Sequence, residues 1–210
     1  MNEAELRRAL ARRGPPGRRH SPKSREELVW PRGDHDLNPD FYDPAMALTQ
    51  AAVLVPIVLR ASAPTMLLTQ RTDHLHDHAG QVSFPGGRVD PGDKDAADAA
   101  LRETEEEVGL PRAHVELIGA LDTYVTRTGF EVTPLVGLVT PPFPVAPDEF
   151  EVAEVFEVPL SLFLDPGNRE TRSRVYEGKE RHFYAYHTER HLVWGATAGM
   201  IVNLVEVLMP

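Results

Sequence analysis

The sequence contains no cysteine among its 210 residues and no long apolar run. The absence of cysteine excludes disulfide bonds and thiol chemistry. The most apolar stretch, residues 51–59, is interrupted by Pro56, and it is far shorter than the roughly 20 residues of a membrane-spanning helix. No charged-then-apolar signal sequence opens the chain either. We therefore expect a cytoplasmic protein that does not enter a membrane.

Positive charge is scarce, with 22 Lys and Arg against 32 Asp and Glu and a net charge of −10. Such a charge repels polyanions, which argues against a general binder of nucleic acids or of membrane surfaces. It does not exclude a small anionic substrate whose charge arrives with metal ions. The hydrophobic content of 41% and the charged content of 26% are ordinary for a globular protein. At this length we expect one well-cored domain with an appendage.

The appendage is a basic segment at the N-terminus. Residues 1–26 carry eight Lys or Arg and three Glu, a net charge of +5. The pattern allows a short amphipathic helix over residues 2–13, which the Gly-Pro-Pro-Gly run at 14–17 would end. A mobile arm that folds back on the acidic remainder of the chain is the interpretation we favour. Residues 27–48 form a polar lead-in, and the main domain covers residues 49–210.

The main domain combines strand and helix patterns. Residues 52–59, 66–70, 115–120 and 132–139 are predicted strands, and residues 150–158 and 181–186 are two further candidates. Pro56 predicts an edge position or a bulge for the first strand. A C-terminal helix would present an apolar face made of Ile201, Leu204, Val205 and Leu208. Strands that bracket two helices predict an α/β layered domain.

The run Arg-Glu-Thr-Glu-Glu-Glu-Val-Gly-Leu at residues 102–110 is the most informative part of the sequence. It ends a predicted helix that begins after the N-cap Asp95 and stops at Gly109. The largely apolar stripe of this helix consists of Ala97, Leu101, Thr104 and Val108. This stripe is the face that we expect to be buried.

The carboxylates of the same helix fall on another face. Glu103, Glu106 and Glu107 lie within an arc of roughly 100°. They repel one another near the negative end of the helix dipole, and each contact costs up to about 1 kcal/mol. A divalent cation would turn this cost into a binding site. Glu105 is expected to face solvent instead.

A glycine-rich segment precedes this helix, with the sequence Phe-Pro-Gly-Gly-Arg-Val-Asp-Pro-Gly-Asp at residues 84–93. Glycines there allow the backbone to approach a ligand closely. The spacing of Gly87, Asp93 and the 102–110 run resembles the Nudix hydrolase signature. The resemblance implies an α/β/α sandwich with a mixed sheet. It also implies cleavage of nucleoside diphosphates linked to another group, with Mg²⁺ or Mn²⁺ held by the glutamates.

The sequence departs from the signature in two ways, and the second departure points to a subgroup. Asp93 stands where the signature has a Glu, and the spacer from Asp93 to Arg102 is slightly longer than the common one. The longer spacer, with the segments 67–71 and 84–87 and Gly80, resembles the motif of coenzyme A pyrophosphatases. In that motif a Ser or Ala stands at the place of Thr72 and a second Arg at the place of His76. Segments 128–134 and 194–199 are also similar to that subgroup.

The subgroup resemblance implies a coenzyme A substrate or its derivatives. The products would be adenosine 3′,5′-bisphosphate and 4′-phosphopantetheine. The alternatives are a Nudix hydrolase of ADP-ribose, NADH or dinucleotide polyphosphates, and a non-catalytic module that senses nucleotides. The complete set Glu103, Glu106 and Glu107 argues against the non-catalytic alternative, because a retired site would not keep three carboxylates that repel one another.

Candidate catalytic roles follow from the resemblance. Glu103, Glu106 and Glu107 would be the ligands of Mg²⁺ or Mn²⁺, which prefer hard oxygen donors. Arg102 would orient a catalytic carboxylate, and the alternative is a surface pair between Arg102 and Asp98. Glu103 is a candidate general base for the attacking water. Glu151 and Glu154 fall where some Nudix enzymes take a carboxylate from a separate loop, and the alternative is that both are only surface residues of a strand before Phe156.

Candidate substrate-binding residues lie before the helix. Arg71 is the best candidate for holding phosphate, since its guanidinium can donate to two phosphate oxygens. Arg88 and Arg127 are weaker candidates of the same kind, and Gly86 and Gly87 give the backbone room beside the substrate. His76 could also touch phosphate. A zinc site formed by His74, His76 and His78 is not favoured, because no fourth ligand is evident.

Overall fold

The structure is a computed structural model that describes residues 1–12, 32–41, 43, 45–74, 79–176 and 178–209. The helices are α1 (Glu3–Ala11), α2 (Ala96–Val108), α3 (Leu160–Leu164) and α4 (Ala196–Leu208). The strands are β1 (Arg32–Gly33), β2 (Thr49–Val58), β3 (Thr65–Arg71), β4 (Val82–Ser83), β5 (Gly86–Arg88), β6 (Val115–Ala120), β7 (Tyr124–Val125), β8 (Phe130–Val139), β9 (Val152–Pro159), β10 (Arg169–Tyr176), β11 (Lys179–His187) and β12 (Leu192–Trp194). No described helix is long and apolar enough to cross a bilayer.

A mixed sheet forms the centre of the domain. Strands β2 and β8 run parallel, in register from Thr49 opposite Phe130 to Val58 opposite Val139. Antiparallel strands extend the sheet on both sides, with β3 and β5 beside β2, β6 and β7 beside β8, and β4 and β9 beside β3. The remaining pair, β1 with β7, is parallel.

Side chains alternate between the two faces of this sheet, and helices cover both. Helix α2 packs on the face that carries Ala52, Leu54 and Leu135. Helices α1, α3 and α4 pack on the opposite face, where Val55 and Ile57 are fully buried. This arrangement confirms the predicted α/β/α sandwich with a mixed sheet.

The prediction for Pro56 was wrong, because β2 is a central strand. One side of β2 pairs with β8 along its whole length. On the other side, residues 51–53 pair with β5 and residues 57–58 pair with β3. Pro56 lies between these two segments, where the second ladder is interrupted. A missing N–H is tolerated in such a gap.

A second sheet pairs β11 with β10 and β12. The candidate strand at residues 181–186 is confirmed as part of β11, whereas β10 and β12 were not predicted. Most residues of β10 are exposed to solvent, and Val175 is 74% exposed. A strand without a buried face does not need the alternation of apolar and polar residues by which strands are recognised. The pattern of β10 is therefore that of a polar loop.

The N-terminal segment differs from the mobile arm that we favoured. Residues 3–11 form α1, which begins with a capping box between Asn2 and Glu5. Leu6 and Leu10 are fully buried, and the helix contacts β6 and α4. Burial of each leucine contributes about 1.5–3 kcal/mol. Residues 13–26 of the predicted arm lie outside the described residues, so the boundary at residue 26 stays a prediction.

The predicted lead-in contributes to the sheet as well. Strand β1, inside the 27–48 segment, pairs with β7. The side chain of Asn38 bonds to the backbone of β11, where its amide donates to the carbonyl of His182 at 2.8 Å and its oxygen accepts from the N–H of His182 at 2.9 Å. Asn38 thereby connects the segment to the second sheet.

Candidate active site

Helix α2 has the predicted ends, and its buried face contains Thr104 and Val108 of the predicted stripe but is rotated from the rest of it. The Asp95 side chain accepts a hydrogen bond from the Asp98 N–H at 2.9 Å, and Gly109 adopts φ of 69° at the other end. The buried residues are Ala99, Ala100, Thr104, Glu107 and Val108. Alanines bring the helix close to the sheet, so the predicted stripe residues Ala97 and Leu101 are only half-buried. As a result Glu107 lies on the buried side and Glu106 is exposed.

The glycine pair in β5 makes room for these carboxylates. The Gly86 N–H donates to the Glu107 carboxylate at 3.0 Å. A Cβ atom on Gly87 would lie 2.5 Å from the carboxyl carbon of Glu103. At Gly86, with φ of 148°, a Cβ atom would lie 2.3 Å from the backbone oxygen of Ala52. Gly87 therefore leaves space for Glu103, whereas Gly86 is required by the backbone itself.

Arg102 holds two of the glutamates and the preceding loop. Its Nη1 donates to Glu103 and to Glu106, both at 2.9 Å. Its Nε and Nη2 bind the two oxygens of Asp93 at 2.9 and 3.0 Å. This hydrogen-bonded contact lowers the pKa of Asp93 to about 2. The alternative pairing with Asp98 is wrong, because Asp98 binds Arg112 at 2.8 Å.

Glu105 lies at the surface of α2, as predicted, although Arg112 partly covers it. It is half-buried rather than fully exposed to solvent. Both its oxygens bind Arg112, one to the backbone N–H and the other to the guanidinium, each at 2.8 Å. Glu105 thus belongs to a surface ion pair apart from the other three glutamates.

Glu107 is a buried carboxylate with incomplete charge compensation. Its side chain is 7% exposed, and the nearest cation, Nη1 of Arg71, lies 3.6 Å away. Burial raises its pKa to about 7, against the Gly86 hydrogen bond and the charge of Arg71. Burial also raises the pKa of Glu103, although Arg102 opposes this effect. The negative charge of Glu151 adds to the rise at both glutamates.

Glu151 reaches this cluster because its loop is tied to the end of α2. The N–H groups of Ala146 and Asp148 donate to the carbonyls of Val108 and Glu107 at 2.9 and 3.0 Å. These bonds satisfy carbonyls that the helix leaves free at its C-terminus. The loop therefore carries Glu151 to the glutamates from a distant part of the sequence.

The structure does not bring Glu154 to the same place, which corrects our expectation. Glu154 precedes Val155, which packs in the cluster with Val108 on the α2 side. Because side chains alternate along a strand, Glu154 lies on the opposite face. There it binds Arg190 at 2.9 Å and lies 3.3 Å from His191. Which of the two carboxylates faces α2 depends on strand register, and the sequence does not reveal it.

The predicted phosphate-binding residues are separated. The buried Nε of Arg71 has no hydrogen-bond partner among the described residues, although Nη1 of Arg71 lies near Glu107. The side chain of Arg88 alternates with Gly87 and points to the other face, over the Phe130 ring at 5.6 Å. The guanidinium of Arg127 lies 4.1 Å from the centre of the Tyr176 ring. His76 and His78 lie outside the described residues.

The donor chemistry of the site suits a divalent cation. Carboxylate oxygens are the ligands that Mg²⁺ and Mn²⁺ prefer. The buried Glu107, with Glu103 and Glu151 repelling it, is a position that a cation would stabilise. Within the described part of the chain, no three acidic or histidine side chains converge as they stand. Glu103 and Glu106 would have to turn from Arg102 to share an ion.

Comparison with known proteins identifies the class of this protein. The family model of the NUDIX domain matches residues 48–178. The chain therefore belongs to the Nudix hydrolase family, whose members hydrolyse phosphorus-containing anhydrides. It is 45% identical over 168 residues to the uncharacterized Nudix hydrolase NudL of Escherichia coli K12, and the match covers 80% of this chain and 87% of NudL.

Solved structures include two similar chains. One is an Ap4A hydrolase of C. elegans in a binary complex, with 26% identity, 53% of this chain and 80% of that chain covered, and a TM-score of 0.46. The other is the NUDIX domain of Shewanella oneidensis NrtR complexed with ADP ribose. It has 20% identity, with 61% of this chain and 82% of that chain covered, and a TM-score of 0.43.

Proposed function

We propose that this chain is a Mg²⁺- or Mn²⁺-dependent diphosphatase that cleaves coenzyme A or its derivatives to adenosine 3′,5′-bisphosphate and 4′-phosphopantetheine. The observation that carries the proposal is the arrangement of Glu103 and Glu106 around Arg102, with the buried Glu107 beside Gly86. The preference for coenzyme A is supported by the motif residues of segments 67–71, 84–87, 128–134 and 194–199.

Glu103, Glu106 and Glu107 would hold the metal ions. When bound, these ions polarise the diphosphate and activate water for attack on phosphorus. The three carboxylates also exclude other anions from the site, because their charges are only partly offset by Arg71 and Arg102. A diphosphate substrate would therefore bind only together with its cations.

Arg102 acts as a positioning residue in this proposal. Its bidentate contact with Asp93 fixes the guanidinium, which in turn fixes Glu103 and Glu106. Glu103 accepts the proton of the attacking water as general base. Glu151 is the second carboxylate that could take this proton, since its charge acts on Glu103 and Glu107.

Arg71 holds a phosphate group of the substrate. A buried guanidinium nitrogen without a hydrogen-bond partner among the described residues is costly. A phosphate oxygen would satisfy it with a charge-assisted hydrogen bond. Gly86 and Gly87 contribute through the glutamates, because the Gly86 N–H donates to Glu107 and Gly87 leaves space for the Glu103 carboxylate. Arg88 contributes through its carbonyl, which accepts from Arg102 at 3.2 Å.

The test is a comparison of substrates. We would measure kcat/KM for coenzyme A, ADP-ribose and NADH at two pH values with Mg²⁺ and with Mn²⁺. Coenzyme A should exceed ADP-ribose by at least about tenfold, which corresponds to about 1.4 kcal/mol of transition-state binding. If ADP-ribose or NADH is better at both pH values, the coenzyme A assignment fails and the family assignment stands. Hydrolysis of none of them would refute the diphosphatase proposal.

A further inference from the structure

Phe150 is an exposed aromatic side chain beside the candidate active site. Its side chain is 66% exposed, and every other Phe, Tyr or Trp whose burial is described is buried or half-buried. It lies in the same loop as Glu151, directly before it. A single exposed apolar side chain is common on protein surfaces, so exposure alone does not assign a role. Phe150 differs from such residues because hydrogen bonds fix the backbone that carries its ring.

Hydrogen bonds fix the backbone on both sides of the ring. The Phe150 N–H donates to Asp148 at 2.9 Å, and the Phe150 carbonyl accepts from the buried Thr72 hydroxyl at 2.8 Å. The Thr72 N–H donates to the Glu151 carbonyl at 3.0 Å. With the bonds from residues 146 and 148 to α2, the loop is held to both the glutamate helix and the end of β3. The ring is thus presented to solvent by a rigid support.

The surroundings of the ring connect it to the diphosphate site. Phe150 is adjacent to Glu151, whose charge acts on Glu103 and Glu107. The ring contacts His74, with the two ring centres 4.8 Å apart and the planes tilted by 58°. His74 follows Arg71 by three residues, a span of at most about 10 Å. The two rings therefore border the place where Arg71 and the glutamates would hold a diphosphate.

We propose that Phe150, supported by His74, is the surface on which the aromatic base of the substrate stacks. This inference rests on the proposed function, because it takes the bound molecule to be a diphosphate that carries a nucleobase. A planar base can cover the exposed face of the Phe150 ring while its phosphates reach Arg71 and the glutamates. Stacking of this kind tolerates different bases, since every base has a π face. Phe150 would then select for nucleotides over diphosphates without a base.

The experiment measures binding of a product-like probe, which contains no diphosphate to cleave. Titration calorimetry would give the Kd of adenosine 5′-monophosphate and of ribose 5-phosphate with Mg²⁺ present. The proteins are the wild type and the variants Phe150→Ala, Phe150→Leu and Phe150→Trp. Val145→Ala is the matched control, because Val145 is an exposed residue of the same loop at 44% exposure. Thermal melts would check that every variant stays folded.

We expect Phe150→Ala and Phe150→Leu to raise the Kd of adenosine 5′-monophosphate by about tenfold or more, equivalent to a loss of about 1.4 kcal/mol of binding free energy. Phe150→Trp and Val145→Ala should stay within about twofold of the wild type, and ribose 5-phosphate should bind equally to all. Retained binding in Phe150→Leu would overturn stacking in favour of a general apolar contact. Equal binding in Phe150→Ala would overturn the inference altogether.

The same proteins separate this inference from the proposed function. If the wild type cleaves coenzyme A and Phe150→Ala binds the nucleotide normally, the stacking surface is wrong and the diphosphatase stands. If the wild type binds the nucleotide but cleaves no diphosphate, and Phe150→Ala loses the binding, the stacking surface stands and the diphosphatase proposal is wrong.

Discussion

Replacement of Glu107 by Gln should stabilise the metal-free protein, and the gain should grow with pH. The Glu107 carboxylate is buried, with Arg71 at 3.6 Å as its nearest cation. Burial is the main cause that raises its pKa from an ordinary 4.5 to about 7. Gln keeps the shape of the side chain, and its carbonyl oxygen can still accept from the Gly86 N–H. The variant therefore removes the buried charge and little else.

The direction of this pH dependence follows from the binding of a proton at Glu107. The folded protein binds a proton at Glu107 more tightly than the unfolded chain does, so this group favours folding below pH 4.5. That contribution is lost as pH rises through about 7. With 1.36 kcal/mol for each unit of pKa, Glu107 costs folding about 1 kcal/mol at pH 5, where its carboxylate takes up a proton on folding, and about 3 kcal/mol at pH 8, where most folded molecules bury the charge. Glu107→Gln avoids this cost at both values.

Urea unfolding in chelator at pH 5 and pH 8 would measure the difference. We expect Glu107→Gln to exceed the wild type in free energy of unfolding by about 2 kcal/mol more at pH 8 than at pH 5. Glu105→Gln is the control, because it removes a neighbouring carboxylate whose pKa is shifted in the opposite direction. Burial tends to raise the pKa of Glu105, but its bonds to Arg112 lower it overall. That variant should lose up to about 1 kcal/mol. An advantage of Glu107→Gln that does not change with pH would refute the account of Glu107 as a buried, poorly compensated charge.

Three further predictions concern other parts of the structure. Gly87→Ala should lower kcat while changing stability little, because its Cβ meets only the end of the Glu103 side chain and displaces that carboxylate. Gly86→Ala should destabilise the fold by about 1–3 kcal/mol, because its Cβ meets the backbone of Ala52. Thermal melts and rates of both variants test this contrast, and equal effects would contradict it. Leu10→Ala should lower the free energy of unfolding by about 2–5 kcal/mol, whereas Arg8→Ala on the exposed side of α1 should change it by less than about 0.5 kcal/mol. Urea unfolding of these two variants would show equal stability if α1 were a mobile arm. Arg71→Ala should lower kcat/KM by about tenfold or more through loss of a charge-assisted contact, and an unchanged value would remove Arg71 from the site.

The ends of α2 could be predicted to the residue because their signals are local. Asp95 caps the first turn with its own side chain, and Gly109 adopts the left-handed conformation that stops the helix. The buried face could not be predicted as well, because Ala99 and Ala100 pack closely on the sheet despite their small apolar area. Glu107 is buried with these alanines, although a pattern of polar and apolar residues assigns a glutamate to the surface.

The missed features depend on contacts between distant segments. Glu151 and Glu154 look alike in the sequence, but only the face alternation of β9 and the bonds from its preceding loop to α2 distinguish them. Leu6 and Leu10 lie in a basic segment whose charge suggested a mobile arm. Helix α1 has only these two large buried side chains, and it is stable because α4 and β6 cover them. The composition of that segment indicates its charge, but it does not indicate that α1 packs against α4 and β6.

The most direct test of the central claim is the rate of release of adenosine 3′,5′-bisphosphate from coenzyme A, measured as Mn²⁺ is added back to the chelated protein. The wild type should show a rate that rises and saturates with the ion. Glu106→Gln should be at least about a hundredfold slower at saturation, while its free energy of unfolding stays close to that of the wild type. Equal rates of the two proteins, or a rate that does not depend on Mn²⁺ or Mg²⁺, would contradict the claim that the α2 glutamates form a metal-dependent diphosphatase site.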